Sequence, residues 1–193
     1  TVVWGIQRHL VKVLEPSEVV PTDGLVETLR EIKDDGELAR IEVAAAIADS
    51  SLAEVWSMLD KEPTERDVAE AIDDSIRRRG ATDRAFATIV ASGPNSARPH
   101  ARPGGRSLQA GDLVVCDLGA VVDGYRSDMT RSTRIGGTGS GQEADLLRAV
   151  LAAQRVGLET VADGVLAAEV DPACRTTLGD LAAGFIHGTG HGV

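Results

Sequence analysis

The dipeptide Asp123-Gly124 constrains this chain more than any other pair of residues. A two-residue type I′ turn needs positive φ at both central positions, and Asp-Gly between apolar runs is among the strongest short hairpin signals. Leu113, Val114, Val115, Val121 and Val122 precede it, and Tyr125 and Met129 follow. Such a loop sets Val122 opposite Tyr125, Asp117 opposite Thr130 and Asp128 opposite Gly119. Because side chains alternate along a strand, Asp117 and Asp128 then project from one face as diagonal neighbours, roughly 7–8 Å apart at Cα. Two carboxylates that close repel unless a proton or a cation lies between them. A solvated surface pair is the ordinary meaning of that spacing, and a metal bridge is the sharper one. The sharper one gains because Asp117 ends the apolar run Leu113-Val114-Val115-Cys116, where an unpartnered carboxylate is costly to desolvate.

A chain of 193 residues with 42% hydrophobic residues can build one sizeable core. With only 3% aromatic residues, that core must be mostly Val, Leu, Ile and Ala. The net charge of −10 argues against generic nucleic-acid binding, which needs a basic surface. Cys116 and Cys174 form no spaced motif, which fits a reducing compartment and gives a cytoplasmic expectation. No run approaches the length of a transmembrane helix and no signal peptide is visible, so no membrane partner is expected. The chain starts at Thr1 and stops in a glycine-rich segment, so both ends read as cut.

Residues 1–14 are apolar and suit either a strand or a short helix, and Pro16, Pro21 and Gly24 mark a linker. From 25 to 59 the period is helical, with a break near Asp34-Asp35-Gly36 and a stripe of Ile41, Ala45, Ala48, Leu52, Val55 and Leu59. Thr64 can cap the next helix; Glu65 and Asp67 favour its positive end, and Arg77, Arg78 and Arg79 suit its C-terminus. Residues 86–91 read as a buried strand, and 92–96 and 98–105 as loops. After the hairpin come a flexible loop over 136–141 and a helix from Gln142 to about Val161, with Leu146, Ala149, Val150, Ala153 and Val156 as its buried stripe. Asp171-Pro172 reads as the start of a last helix, with Asp as the cap and Pro at the first helical position. Helices first and strands mixed with helices later indicate an α+β domain.

Of the four histidines, His9 suits a structural or surface role. His187 and His191 are four apart, but Gly188, Gly190 and Gly192 argue against a helix, so the pair reads as a looped approach of backbone to a ligand. Without a helical frame the spacing alone says little about metal. His100, beside Pro99, reads as a surface histidine or as a ligand or proton shuttle. Two aspartates with at least one histidine would begin a mixed oxygen and nitrogen site suited to Mn, Co, Fe or Zn.

Three motifs occur in order: Ser92-Gly93-Pro94-Asn95-Ser96 with Pro99-His100; Asp117-x-Gly119 with Gly124-Tyr125-x-Ser127-Asp128-x-Thr130-Arg131; and His187-Gly188-Thr189-Gly190-His191-Gly192-Val193. Together they resemble the Xaa-Pro peptidase branch, aminopeptidase P and prolidase, of the pita-bread metallopeptidases of family M24. Methionine aminopeptidases share the fold and the paired aspartates, but the tract 124–131 is more similar to the proline-specific branch. The resemblance implies an α+β pita-bread (creatinase/aminopeptidase-like) fold, incomplete at the C-terminus. Residues 1–24 would be the tail and linker of an N-terminal domain, and 25–193 part of a catalytic domain. It further implies a proline-containing peptide substrate, cut between the N-terminal residue and proline by a hydroxide activated between two divalent metal ions. Mn²⁺ is the expected metal, and Co²⁺, Fe²⁺ or Zn²⁺ suit the same donors. By that resemblance Asp117, Asp128 and His191 match metal ligands, while His100 and His187 match histidines that contact substrate or assist proton transfer. Two further glutamate ligands and another histidine match nothing in this sequence, so the chain alone is expected to have little or no activity. Relatives often dimerise, which leaves a homodimer open.

The same resemblance admits two other readings: a pita-bread domain that binds peptides or partners without catalysis, and a metal-free enzyme acting on small amidines. The paired acids and the three motif histidines disfavour the binding domain, and the intact ligand positions disfavour the metal-free enzyme, which leaves the peptidase as the expectation.

Overall fold

The computed structural model describes residues 4–20, 22–137, 139 and 141–191. Pro21, Thr138, Ser140, Gly192 and Val193, which fall in the linker, the glycine loop and the last motif, lie outside the described residues. The chain divides into two compact units, 1–34 and 35–193. In the first, α1 (Trp4–Val13) and α2 (Leu25–Glu31) bury none of their residues; of the segment that suited either strand or helix, 4–13 is helical and 1–3 lies outside the described residues.

The second unit opens with α3 (Asp35–Val55), beginning where the break was expected, and continues through a 3-10 turn, Trp56–Lys61. α4 (Glu65–Arg78) starts as its sequence demands. Asp67 N–H donates to Thr64 Oγ1 and Thr64 N–H to the Asp67 carboxylate, a reciprocal cap that satisfies two orphan donors. Among the described residues six short strands follow: β1 (Asp83–Arg84), β2 (Ile89–Ser92), β3 (Leu113–Leu118), β4 (Ala120–Val122), β5 (Tyr125–Arg126) and β6 (Met129–Arg134). They form two antiparallel sheets, ordered β2-β3-β6 and β1-β4-β5.

The hairpin register is the one required by a two-residue loop. Val122 pairs with Tyr125 and Asp117 with Thr130, and Asp123 (φ 48°) and Gly124 (φ 86°) have the positive φ of a type I′ turn. Between the two sheets the ribbon kinks at Gly119, whose missing Cβ would lie 2.0 Å from the Ser127 carbonyl oxygen, so no side chain fits there. Ser127 secures the kink: its hydroxyl accepts from Ala120 N–H (3.0 Å) and donates to the Ala44 carbonyl of α3 (3.0 Å).

Burial alternates along β3. Val114, Cys116 and Leu118 are buried with Ala44, Ala48 and Leu52 of α3 and Val68, Ile72 and Ile76 of α4, which puts Asp117 on the other face. Each fully buried Ile or Leu, such as Ile72 and Leu118, contributes about 1.5–3 kcal/mol. The core is aliphatic, as composition required.

Several local expectations shift. On α3 the buried stripe runs through Ala44, and Ala45 is exposed. β2 begins only at Ile89 and extends through Ser92. α5 (Gln142–Thr160) forms as expected, but Leu146 and Val150 are exposed and only Ala153 of the expected stripe is buried. Its seam with α6 (Ala167–Leu178) is made by small residues: a Cβ on Gly157 would lie 2.8 Å from Cys174 Sγ. The last helix starts at Ala167, so Asp171 is not its cap and Pro172 lies inside it. Asp171 instead turns its carboxylate to Arg175 and Thr189, partners that lie further along the chain.

Candidate active site

Asp117 sits on β3 facing Thr130, whose hydroxyl donates to Asp117 Oδ1 at 2.7 Å. Asp128 immediately precedes β6, beside the buried Ser127. Burial pushes the Asp117 carboxyl above the usual carboxylate range. The Thr130 hydrogen bond opposes this, the charge and hydrogen bonding of Asp128 add to it, and His100 pulls back. The two acids thus bear on each other electrostatically, as neighbours at one end of the hairpin would.

A cleft of about 440 Å³ runs past Phe86, Thr88, Ile89, His100, Asp117 and Asp128, and so joins His100 to the acid pair. His191 approaches from the C-terminal side, with Nε2 3.1 Å from Asp128 Oδ2. Asp128 also borders a larger cleft, about 1550 Å³, that includes His187 and Thr189. The His187 ring lies edge-on to Phe185, centroids 4.6 Å apart, with Nδ1 2.9 Å from the Gly188 carbonyl. Of the five residues singled out in the sequence, Asp117 and His191 thus lie beside Asp128, His100 shares the smaller cleft with the acid pair, and His187 lines the larger cleft that Asp128 also borders.

Among the described residues no group of three or more His, Cys, Asp or Glu side chains converges as a metal cluster. The donors come in pairs, Asp117 with Asp128 and Asp128 with His191. Their chemistry nevertheless fits a divalent cation: a carboxyl raised first by burial and further by a second carboxyl is relieved when a cation lies between the two, and imidazole suits the same ions.

Two supports were missed in the sequence. Glu65, read only as a helix-start acid, is fully buried and bonded to Ser92, Asn95 and Gly104, which flank the His100 loop. A signal existed: Glu65 lies on the α4 face of Val68, Ala69, Ile72 and Ile76, at helical spacings of three, four, seven and eleven. Asp171 and Arg175 hold the segment of His187 in the same way, through Thr189 N–H and the His187 carbonyl. No sequence pattern announces that contact.

A family model for metallopeptidase family M24 matches residues 39–193. The chain is 34% identical to the Xaa-Pro dipeptidase of Pyrococcus horikoshii, over 98% of this chain and 54% of that one. It superposes on an Xaa-Pro dipeptidase from Bacillus anthracis with a TM-score of 0.92 at 34% identity, over all of this chain and 54% of that one. For the X-Pro aminopeptidase of Thermotoga maritima the TM-score is 0.81 at 30% identity, covering 92% and 50%. The chain spans about half the length of the curated relatives it matches. Its strands, kinked hairpin and helices are those of the pita-bread fold, and with the family match over 39–193 the chain belongs to metallopeptidase family M24.

Proposed function

We propose that the intact protein is a metal-dependent peptidase that hydrolyses the bond between an N-terminal residue and proline, as an Xaa-Pro dipeptidase or aminopeptidase. The observation that carries this reading is the gathering of Asp117, Asp128, His100 and His191 around one end of the β3–β6 hairpin. The similarity to proteins named Xaa-Pro dipeptidase supports the choice of substrate.

Asp117, Asp128 and His191 would hold the metal, two divalent ions with Mn²⁺ preferred. Bound there, the ions would supply Lewis acidity and a water of lowered pKa. The chain's own residues do the rest. Thr130 fixes the Asp117 carboxylate through its hydroxyl, and Ser127 fixes the backbone from which Asp128 projects. His100, which lines the same cleft as Asp117, would contact a bound peptide or hold a proton at its imidazole, and His187, which borders the adjoining cleft, would make the same kind of contact. Residues 1–24 would be the tail of an N-terminal domain. The free, buried Cys116 and Cys174 support a cytoplasmic location, and among the described residues no helix is long and apolar enough to cross a membrane.

The test is metal stoichiometry by elemental analysis of the intact protein, beside turnover of a Gly-Pro or Xaa-Pro-Yaa peptide with Mn²⁺. Two ions per chain are expected, and Asp128→Asn should lose one of them. Unchanged stoichiometry would sink the ligand assignment. The 193-residue chain alone should turn over little, because two glutamate ligands expected from the resemblance match no motif in it; turnover near that of the intact protein would refute this.

A further inference from the structure

Glu65 opens α4, yet its side chain is fully buried. Oε1 accepts from Ser92 N–H (2.8 Å), Ser92 Oγ (2.8 Å) and Asn95 Nδ2 (3.0 Å), and Oε2 accepts from Gly104 N–H (3.1 Å). In return the first backbone N–H groups of α4 reach the same loop: Glu65 N–H donates to the Arg106 carbonyl and Arg66 N–H to that of Gly104. A buried carboxylate is costly unless fully hydrogen-bonded, and this one is. Burial opposes its ionisation, but the bonds from Asn95, Ser92 and Gly104 hold its carboxyl below the usual range.

These contacts grip both ends of one short segment. Between them, Arg98 N–H donates to the Asn95 carbonyl and Ala101 N–H to that of Arg98, which makes two linked turns. Ala101 is buried and His100, next to it, is exposed and borders the cleft of Asp117. A second tie closes the base: Arg106 forks onto Asp112 (2.6 and 2.9 Å) and donates to Ser92 Oγ (2.6 Å).

We propose that Glu65 is a positioning residue: by gripping Ser92, Asn95 and Gly104 it fixes the loop that holds His100 in the cleft of Asp117, and it affects turnover only through His100. The proposal rests on the reading of His100 as a working group of the peptidase site. A helix-start glutamate serving only the helix dipole would have no need of burial or of partners 27 to 39 residues away.

The test uses the intact protein with Mn²⁺ and a Gly-Pro peptide, comparing Glu65→Gln, His100→Ala and the double substitution. In Glu65→Gln, amide hydrogen exchange over 95–104 should rise about tenfold or more while the β3–β6 ladder is unchanged. Its kcat should fall about tenfold or more with little change in KM, and adding it to His100→Ala should cost nothing further. Additive losses, unchanged exchange over 95–104, or equal opening of the ladder would each overturn the proposal. If Glu65→Gln does not fold, Asn95→Ala, which removes one donor side chain and leaves the carboxylate in place, carries the same measurements with the same two outcomes. Should the unsubstituted protein cleave no Xaa-Pro peptide, the peptidase reading fails, and the exchange result still decides whether Glu65 holds the loop.

Discussion

The loop carrying His100 and the segment carrying His187 and His191 are both held by an acid, and the two acids live in opposite surroundings. Glu65 is wholly out of water and bonded to two backbone N–H groups, a hydroxyl and an amide. The side chains of Asp171 and Arg175 remain 33% and 35% exposed. Asp171 accepts from Thr189 N–H and Oγ1 (both 2.9 Å), while Arg175 donates to the carbonyls of Phe185 (2.7 Å) and His187 (2.6 Å) and lies 4.5 Å from the Phe185 ring centroid. A dry carboxylate with every acceptor site used is a rigid support whose loss is severe. A half-wet ion pair is screened and individually weak, and it allows its segment to open. One histidine loop is therefore built as a fixed wall and the other as a latch.

The sharpest way to break that contrast is Glu65→Ala. It strands buried donors on Ser92, Asn95 and Gly104, each costing about 1–3 kcal/mol but not additively, so a loss of about 3–5 kcal/mol is expected. Thermal melting should drop by roughly 10 °C for a unit of this size. A drop of less than about 3 °C would put Glu65 in the same class as Asp171. The pH dependence has a definite sign. Because the folded Glu65 carboxyl lies below its usual range, its stabilisation is present above the ordinary glutamate pKa and is lost as pH falls through the lowered folded value. Urea midpoints measured across acid pH should therefore fall more steeply for the unsubstituted protein than for Glu65→Gln. Asp112, lowered first by its bonds from Arg106, contributes a slope of the same sign to both proteins.

Two glycines offer a second, smaller test of the same contrast. Gly93 has φ +51°, and a Cβ there would lie 2.6 Å from both the Arg106 guanidinium and the Asp112 carboxylate, which are locked onto each other. Gly190 has φ +66° with open space around it. Gly93→Ala should cost about 2–3 kcal/mol, from backbone strain plus displacement of the ion pair, and Gly190→Ala about 1 kcal/mol, from strain alone. Equal costs by urea denaturation would mean that the wall has as much room to give as the latch.

The wall and the latch differ also in how far they could be read in the sequence. The hairpin was legible because its determinants are local: Asp123-Gly124 fixes the turn, and the turn fixes which residue faces Asp117. The Thr64 cap was legible for the same reason. The grip of Glu65 joins residues far apart in sequence, so only its place on the buried face of α4 pointed to it. At Asp171-Pro172 a local signal was outweighed. Asp171 satisfies its carboxylate with Thr189 and Arg175, and the helix begins at Ala167, five residues before the expected first helical position at Pro172. On α5, Leu146 and Val150 follow a helical period but do not form the seam with α6, which small residues close more tightly. Of the site itself, hairpin parity supplied the acid pair, whereas the approach of His191 to Asp128 joins positions 63 residues apart and could be expected only from the motif.

The smallest expected effect belongs to the latch. Asp171→Asn keeps an oxygen acceptor for Thr189 but removes the ionic partner of Arg175, so global melting should move by no more than about 2 °C. Local exchange should respond instead: amides over 187–191 should open faster, and those over 95–104 should not. Salt makes the same cut without a substitution. At 1 M NaCl the screening length is about 3 Å, which weakens a half-exposed pair and leaves a buried hydrogen-bonded carboxylate almost untouched. Raising salt from 0.05 to about 1 M should therefore speed exchange over 187–191 selectively. If both segments respond alike, the difference in burial does not govern their mobility, and His100 is held no more firmly than His191.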